Sequence, residues 1–244
     1  MFKLARTYVV VVGALASFGA NAANIGLTSN FWYTPTLANN LISQGHTVSV
    51  VNSYNAASLL SFDAFIQDGN GHFDNAALDS FVFQGGTLIQ LPWSLGANYS
   101  YSGQLDLIGN PTSITYGSPN PGVTVLNGSY LLNGVALPAA NAHTIGYEIG
   151  TSFSGTGNAI LQWNDGSAML ADHSYGAGKV VAFNLHLITS DSNPLDAAWS
   201  NQIVYNAIGD VQAPVPEPET YAMMLAGLGL LGLSARRRRQ KLNA

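Results

Sequence analysis

The 244-residue chain contains no cysteine. No disulfide can form, so a fold exported to an oxidising compartment must rest on an ordinary buried core. Basic residues are nearly as scarce in the middle of the chain. Of the eight, Lys3 and Arg6 lie at the amino end and Arg236 to Arg239 with Lys241 at the carboxyl end, which leaves Lys179 alone between Asn24 and Asp210. Eleven acids share that stretch, and eleven against one gives −10, compared with −5 for the whole chain. A surface this acidic repels phosphate backbones, which excludes nucleic acid as a partner. Charged residues make up only 9% of the chain, so the solubility of the middle region rests on Asn, Ser, Thr and Gly, a composition common in secreted proteins that meet polysaccharide. The histidines, His46, His72, His143, His173 and His186, lack close metal-ligand spacing. No metal or cofactor is expected.

The chain also lacks a long internal hydrophobic run; its uncharged apolar segments lie at the two ends. Lys3 and Arg6 precede an apolar stretch from Tyr8 to Phe18, and Ala20-Asn21-Ala22 has the small-x-small form that signal peptidase cuts. Residues 1–23 read as a signal peptide. Near the other end, residues 211–220 form a proline-rich linker containing Val215-Pro216-Glu217-Pro218. The two prolines fix φ and remove two backbone donors, so this segment is extended and open to a processing enzyme. Thr220 is placed to N-cap a helix over 221–235, which is uncharged but short of the roughly 20 residues that span a bilayer. Tilt or local thinning would be needed. Arg236, Arg237, Arg238 and Arg239 open the basic tail, 236–244, and hold that end in the cytoplasm.

The order of a Pro-Glu-Pro motif, a short Leu/Gly-rich membrane helix and an arginine cluster resembles the PEP-CTERM sorting signal of Gram-negative bacteria that make extracellular polysaccharide. The resemblance implies recognition by an exosortase-type membrane protease and cleavage near Pro216 to Pro218. An inner-membrane intermediate would then be passed to the cell surface or the biofilm matrix. A plain tail anchor without processing is the alternative.

Residues 24–210 are long enough for one domain with a full hydrophobic centre. Strand and helix signals alternate: Asn24 to Ser29 a strand, Thr36 to Gln44 a helix stopped by Gly45, Thr47 to Asn52 a second strand and Asp63 to Gln67 a third. Asn75 to Gln84 follows as a helix with Asp74 as N-cap, and Thr87 to Leu91 as a fourth strand. This alternation predicts an α/β fold, a single three-layer domain with a mostly parallel central sheet. From Ala97 to Thr156 the chain turns rich in Gly, Pro, Asn and Ser, which predicts a loop- and β-rich insertion at the sheet edge with runs such as Val123 to Leu126. Asn158 to Trp163, Ala168 to Asp172 and Lys179 to Leu185 resume the pattern, and Ala197 to Ile208 closes it as a helix.

This order, with Phe62-Asp63-Ala64-Phe65-Ile66, Gly86-Thr87-Leu88-Ile89 and Gly176-Ala177-Gly178-Lys179-Val180-Val181 as its landmarks, resembles a class I glutamine-amidotransferase-like domain of flavodoxin-type architecture, with trehalose-utilisation-type proteins as cousins. That family carries a cysteine nucleophile on the sharp turn after the fourth strand. A chain without cysteine cannot use it. The turn here reads Pro92-Trp93-Ser94-Leu95-Gly96, in which Ser94 matches the cysteine position and the pattern is one residue from Gly-x-Ser-x-Gly. Two readings stand open. Ser94 could act as a nucleophile with His186 as its base and Asp191 orienting the histidine, or Ser94 could cap a turn while His186 serves as a hydrogen-bonded edge residue.

The turn from Asp68 to Asp74 offers oxygen ligands at alternate positions, and Asp79 takes the twelfth place of a calcium-loop count. Phe73 stands where that loop needs glycine, so the segment reads as an Asx-turn and helix cap. Aromatics supply a binding hypothesis. Trp32 and Tyr33 follow the first strand and Trp93 the fourth, at the edge where open α/β sheets place ligands, with Asn70 nearby. Exposed rings beside Asn and Asp suit sugars, and burial against the insertion is the alternative. Taken together, these readings favour an exported structural or glycan-contacting protein over a serine hydrolase.

Overall fold

A computed structural model describes residues 22–28, 34–68, 74–95, 101–142, 144–187 and 194–209. Nearly all of the expected leader, the linker, the segment 221–235 expected as a helix and the basic tail lie outside the described residues, as do Trp32, Tyr33, Asn70 and Asp191. Among the described residues, no helix is long and apolar enough to cross a membrane.

The first half follows the expected alternation: β1 (Asn24–Thr28), α1 (Thr34–Ser43), β2 (Thr47–Val51), α2 (Ala56–Leu59), β3 (Ala64–Gln67), α3 (Asn75–Phe83) and β4 (Thr87–Gln90). Local chemistry sets the ends. Gly45, at φ 92°, takes the left-handed position that closes α1. At α3 the Asp74 carboxylate accepts the Ala77 N–H at 3.0 Å, as its position before the helix predicted. The short helix α2 was not anticipated. Its cap is reciprocal, with Asn55 accepting from the Ser58 N–H and Ser58 Oγ accepting from the Asn55 N–H, both at 2.9 Å. Serine in place of the usual Glu or Gln three residues on hid that signature.

The second half runs β5 (Ile108–Gly109), β6 (Ser113–Pro119), β7 (Val123–Val125), β8 (Thr144–Ile149), β9 (Ser152–Phe153), β10 (Asn158–Trp163), β11 (Ala168–Tyr175), β12 (Gly178–Phe183) and α4 (Pro194–Gly209). The main sheet has eight strands in the order β2-β1-β3-β4-β12-β11-β10-β7. The five from β2 to β12 are parallel; β11, β10 and β7 extend the sheet antiparallel. The expected mostly parallel sheet is therefore a mixed one. Chain length decides this, because only Gly176 and Ala177 join β11 to β12 and a parallel crossover needs a dozen residues or more. Gly176 at φ 60° supplies the left-handed turn that such a hairpin requires.

Side chains alternate across the parallel strands and so build two cores. Ile25, Leu27, Ile66, Ile89, Val181 and Phe183 face α1 and α4, whereas Phe65, Leu88, Val180 and Ala182 face α2 and α3. These are the three layers that the sequence pattern predicted. Each large apolar side chain buried this way contributes about 1.5–3 kcal/mol. Strands β6 and β8 pair as a separate ribbon, and β5 pairs with β9. Asn184, just past β12, pins that ribbon to the carboxyl edge of the sheet. Its side chain accepts the Glu148 N–H and donates to the Glu148 carbonyl, both at 2.8 Å, and also reaches Thr151 Oγ1 and the Ala168 carbonyl.

Candidate functional site

The turn after β4 is sharp because one bulky residue adopts a left-handed backbone. Trp93 has φ 73°, which costs a non-glycine residue about 1–2 kcal/mol. It returns the chain so tightly that the Ser94 N–H meets the Leu91 carbonyl at 3.1 Å. Strain of this kind marks the apex of a nucleophile elbow, and here the apex side chain is an indole. Ser94 falls one residue later. It is 0% exposed, and its hydroxyl donates to the main-chain carbonyls of Leu91 and, at 3.3 Å, Gln67.

His186 reaches the same edge from beyond β12, its N–H held by the Gly146 carbonyl at 2.8 Å. The imidazole packs among rings, with centroids 6.1 Å from Trp93 and 5.0 Å from Tyr116. Only 5% of the residue is exposed, and this desolvation lowers its pKa to about 4. It is neutral at pH 7.

Tyr116 sits in an irregularity of the ribbon. Thr115 pairs with Tyr147 and Ser118 with Ile145, so Tyr116 and Gly117 together oppose the single residue Gly146. A bulge re-aims the side chain it carries. Tyr116 is 58% exposed and lies stacked against Trp93, with centroids 6.3 Å apart and planes at 28°. Gly146 is the residue that lets these rings meet. A Cβ there would come within 3.1 Å of His186 Cδ2 and 3.2 Å of Tyr116 Cδ1.

A carboxylate joins the same edge through the Trp93 main chain. Glu148 on β8 is 1% exposed, and its Oε1 accepts the Trp93 N–H at 3.0 Å. Its Oε2 is buried and has no hydrogen-bond partner in the structure. Burial raises the Glu148 pKa, and the Trp93 N–H offsets part of that rise. A second buried carboxylate belongs to Asp68, just past β3, whose backbone is fastened to the Thr28 hydroxyl by two bonds of 2.9 Å. The Tyr116 hydroxyl is raised first by burial, and both carboxylates raise it further. One edge of the sheet thus joins an indole, a phenol, a neutral imidazole and two buried acids.

Of the residues singled out from sequence, Trp93, Ser94 and His186 converge on this edge, joined by Asp68 from the turn after β3. Glu148, Tyr116, Asn184 and Gly146 were missed. Glu148 carried a readable signal, since it is the one glutamate between Asn24 and Asp210 and stands in an otherwise uncharged strand.

Residues 214–239 match the PEP-CTERM protein-sorting motif. The motif implies export and membrane-associated processing by an exosortase toward the envelope or surface. No curated protein matches the chain by sequence. Among solved structures, the cytoplasmic protein STM1381 from Salmonella typhimurium LT2 is similar at 13% identity and TM-score 0.56, covering 78% of this chain and 100% of its own. The cytoplasmic protein STM3548 from Salmonella typhimurium is similar at 12% identity and TM-score 0.55, covering 76% and 97%. PurLQS from Thermotoga maritima is similar at 10% identity and TM-score 0.56, covering 79% and 100%. At these identities the likeness is one of fold alone.

Proposed function

We propose that this chain is an exosortase-sorted surface or matrix protein whose amidotransferase-like α/β domain, residues 24–210, contacts a glycan through the Trp93 elbow. Signal peptidase removes residues 1–23, the 221–235 helix holds the intermediate in the inner membrane, and the exosortase cuts near Pro216 to Pro218. The domain is then released to extracellular polysaccharide. The observation that carries the binding role is Trp93, which holds an aromatic ring at the strained apex where related turns hold a nucleophile. The flat indole suits the apolar face of a sugar ring, and the buried acids near it suit its hydroxyls. Trp32, Tyr33 and Asn70, which lie outside the described residues, are proposed as further glycan contacts.

The rival function is hydrolysis by Ser94 with His186 as base, in the same family of folds. It would require the Ser94 hydroxyl to leave the Leu91 and Gln67 carbonyls, and His186 to gain charge where burial opposes it. The binding role asks for neither change.

The test is co-sedimentation of the exported protein with polysaccharide from the cells that make it, comparing wild type with Trp93→Gly. Glycine accepts the left-handed backbone, so the substitution removes the ring without straining the turn. Retention that falls at least tenfold supports the proposal, and unchanged retention overturns it.

A further inference from the structure

The buried carboxylate at this edge says more about the ligand than the rings do. A sugar that only stacks needs no acid near it, and a buried carboxylate oxygen without a hydrogen bond carries the desolvation cost of that group uncompensated. Glu148 Oε2 is such an oxygen, and Asp68 places a second acid at the same edge. The sole lysine or arginine between Asn24 and Asp210 is Lys179, the second residue of β12, at the end opposite His186 and over the Tyr130 ring at 4.0 Å. His186 is neutral and so brings neither competition for the acids nor repulsion of a positive charge.

Building on the glycan-contact reading, we propose that the ligand is a polysaccharide containing hexosamine with unsubstituted amino groups, whose ammonium pairs with Glu148 while its sugar ring stacks on Trp93. Tyr116 shows how the ring fits. Its phenol already lies at a shallow angle on the indole, and Tyr116 is itself exposed and mounted on a two-residue bulge. The sugar takes the place of that phenol, which turns aside and opens the way to Oε2. An arriving ammonium restores the charge that burial disfavours in Glu148, and the flanking aromatic faces favour it further. Uronic-acid polymers are disfavoured by the same two carboxylates.

Calorimetric titration of the exported protein, at about pH 6 so that amines are charged, separates the possibilities. The probes are a glucosamine tetramer, the N-acetylglucosamine tetramer, cellotetraose and tetralysine. The glucosamine tetramer should bind about tenfold more tightly than either neutral sugar, the scale of one charge pair, and more tightly than tetralysine. Glu148→Gln keeps the acceptor for the Trp93 N–H and should bring the glucosamine tetramer down to the level of the neutral sugars. Tyr116→Ala should bind it at least as well as wild type. Equal binding of all three sugars, lost in Trp93→Gly, would overturn the hexosamine assignment and leave the glycan-contact reading standing. Binding to no sugar would overturn both, and tetralysine binding as tightly as glucosamine would reduce the effect to net charge.

Discussion

The imidazole of His186 makes folding stability depend on pH, and the structure sets the sign and size. In the unfolded chain a histidine titrates near its usual 6.5; in the fold, burial lowers His186 to about 4. The unfolded state therefore binds the proton first. Stability from the neutral ring is fully present above pH 6.5 and is lost as pH falls toward 4, by at most about 3 kcal/mol at about 1.4 kcal/mol per unit. Glu148 works in the opposite sense. Its raised pKa means that the folded state binds a proton more readily, so stability falls as pH rises from 4.5 through the folded value. The two groups overlap in the mildly acidic range and partly cancel in wild type. A difference measurement separates them: urea unfolding of wild type and His186→Phe between about pH 7.5 and 4, at constant m-value. The wild type should lose about 3 kcal/mol more than the variant across that interval. A stability difference independent of pH would contradict a desolvated, neutral ring in the fold.

Three further outcomes follow from the same geometry. Trp93→Gly should be more stable than Trp93→Ala by about 1 kcal/mol in chemical unfolding, since both lose the indole and only alanine keeps the left-handed strain. Asn184→Ala should cost about 3 kcal/mol by the same assay, because it removes the side chain that ties β8 to the end of β12 and leaves buried partners at Glu148, Thr151 and Ala168. Gly146→Ala should destabilise by about 1–3 kcal/mol and weaken sugar binding, as its Cβ crowds His186, Tyr116 and the Thr115 carbonyl, which lies 3.2 Å from it. Binding calorimetry and unfolding on one preparation check both effects.

The parallel half of the sheet was legible in the sequence because helix stops, caps and β-branched runs mark most boundaries from Asn24 to Gln90, those of α2 excepted. Asp74 and Gly45 do there what their residue types dictate. The antiparallel half was less so. Apolar runs at 158–163 and 168–172 look alike whether the strands are parallel or antiparallel, and only the short connections, Asn164 to Ser167 and Gly176-Ala177, distinguish them. The site was partly legible. The turn after β4 and the residue after β12 could be placed from the order of elements, which located Trp93, Ser94 and His186. The identity of the apex could not be read, because a one-residue shift between Trp93 and Ser94 depends on backbone torsion rather than on residue type. Glu148 and Tyr116 arrive on a ribbon whose path across the sheet edge is set by Asn184 and by a bulge, long-range features that no local pattern encodes.

The measurement that bears most directly on the account is the intact mass of the exported protein before and after exposure to a fluorophosphonate, with Ser94→Ala as control. If Trp93 makes this elbow a binding surface and the Ser94 hydroxyl serves the turn, the folded protein gains no adduct. A single adduct that Ser94→Ala abolishes would establish an activated serine at this edge and contradict the account.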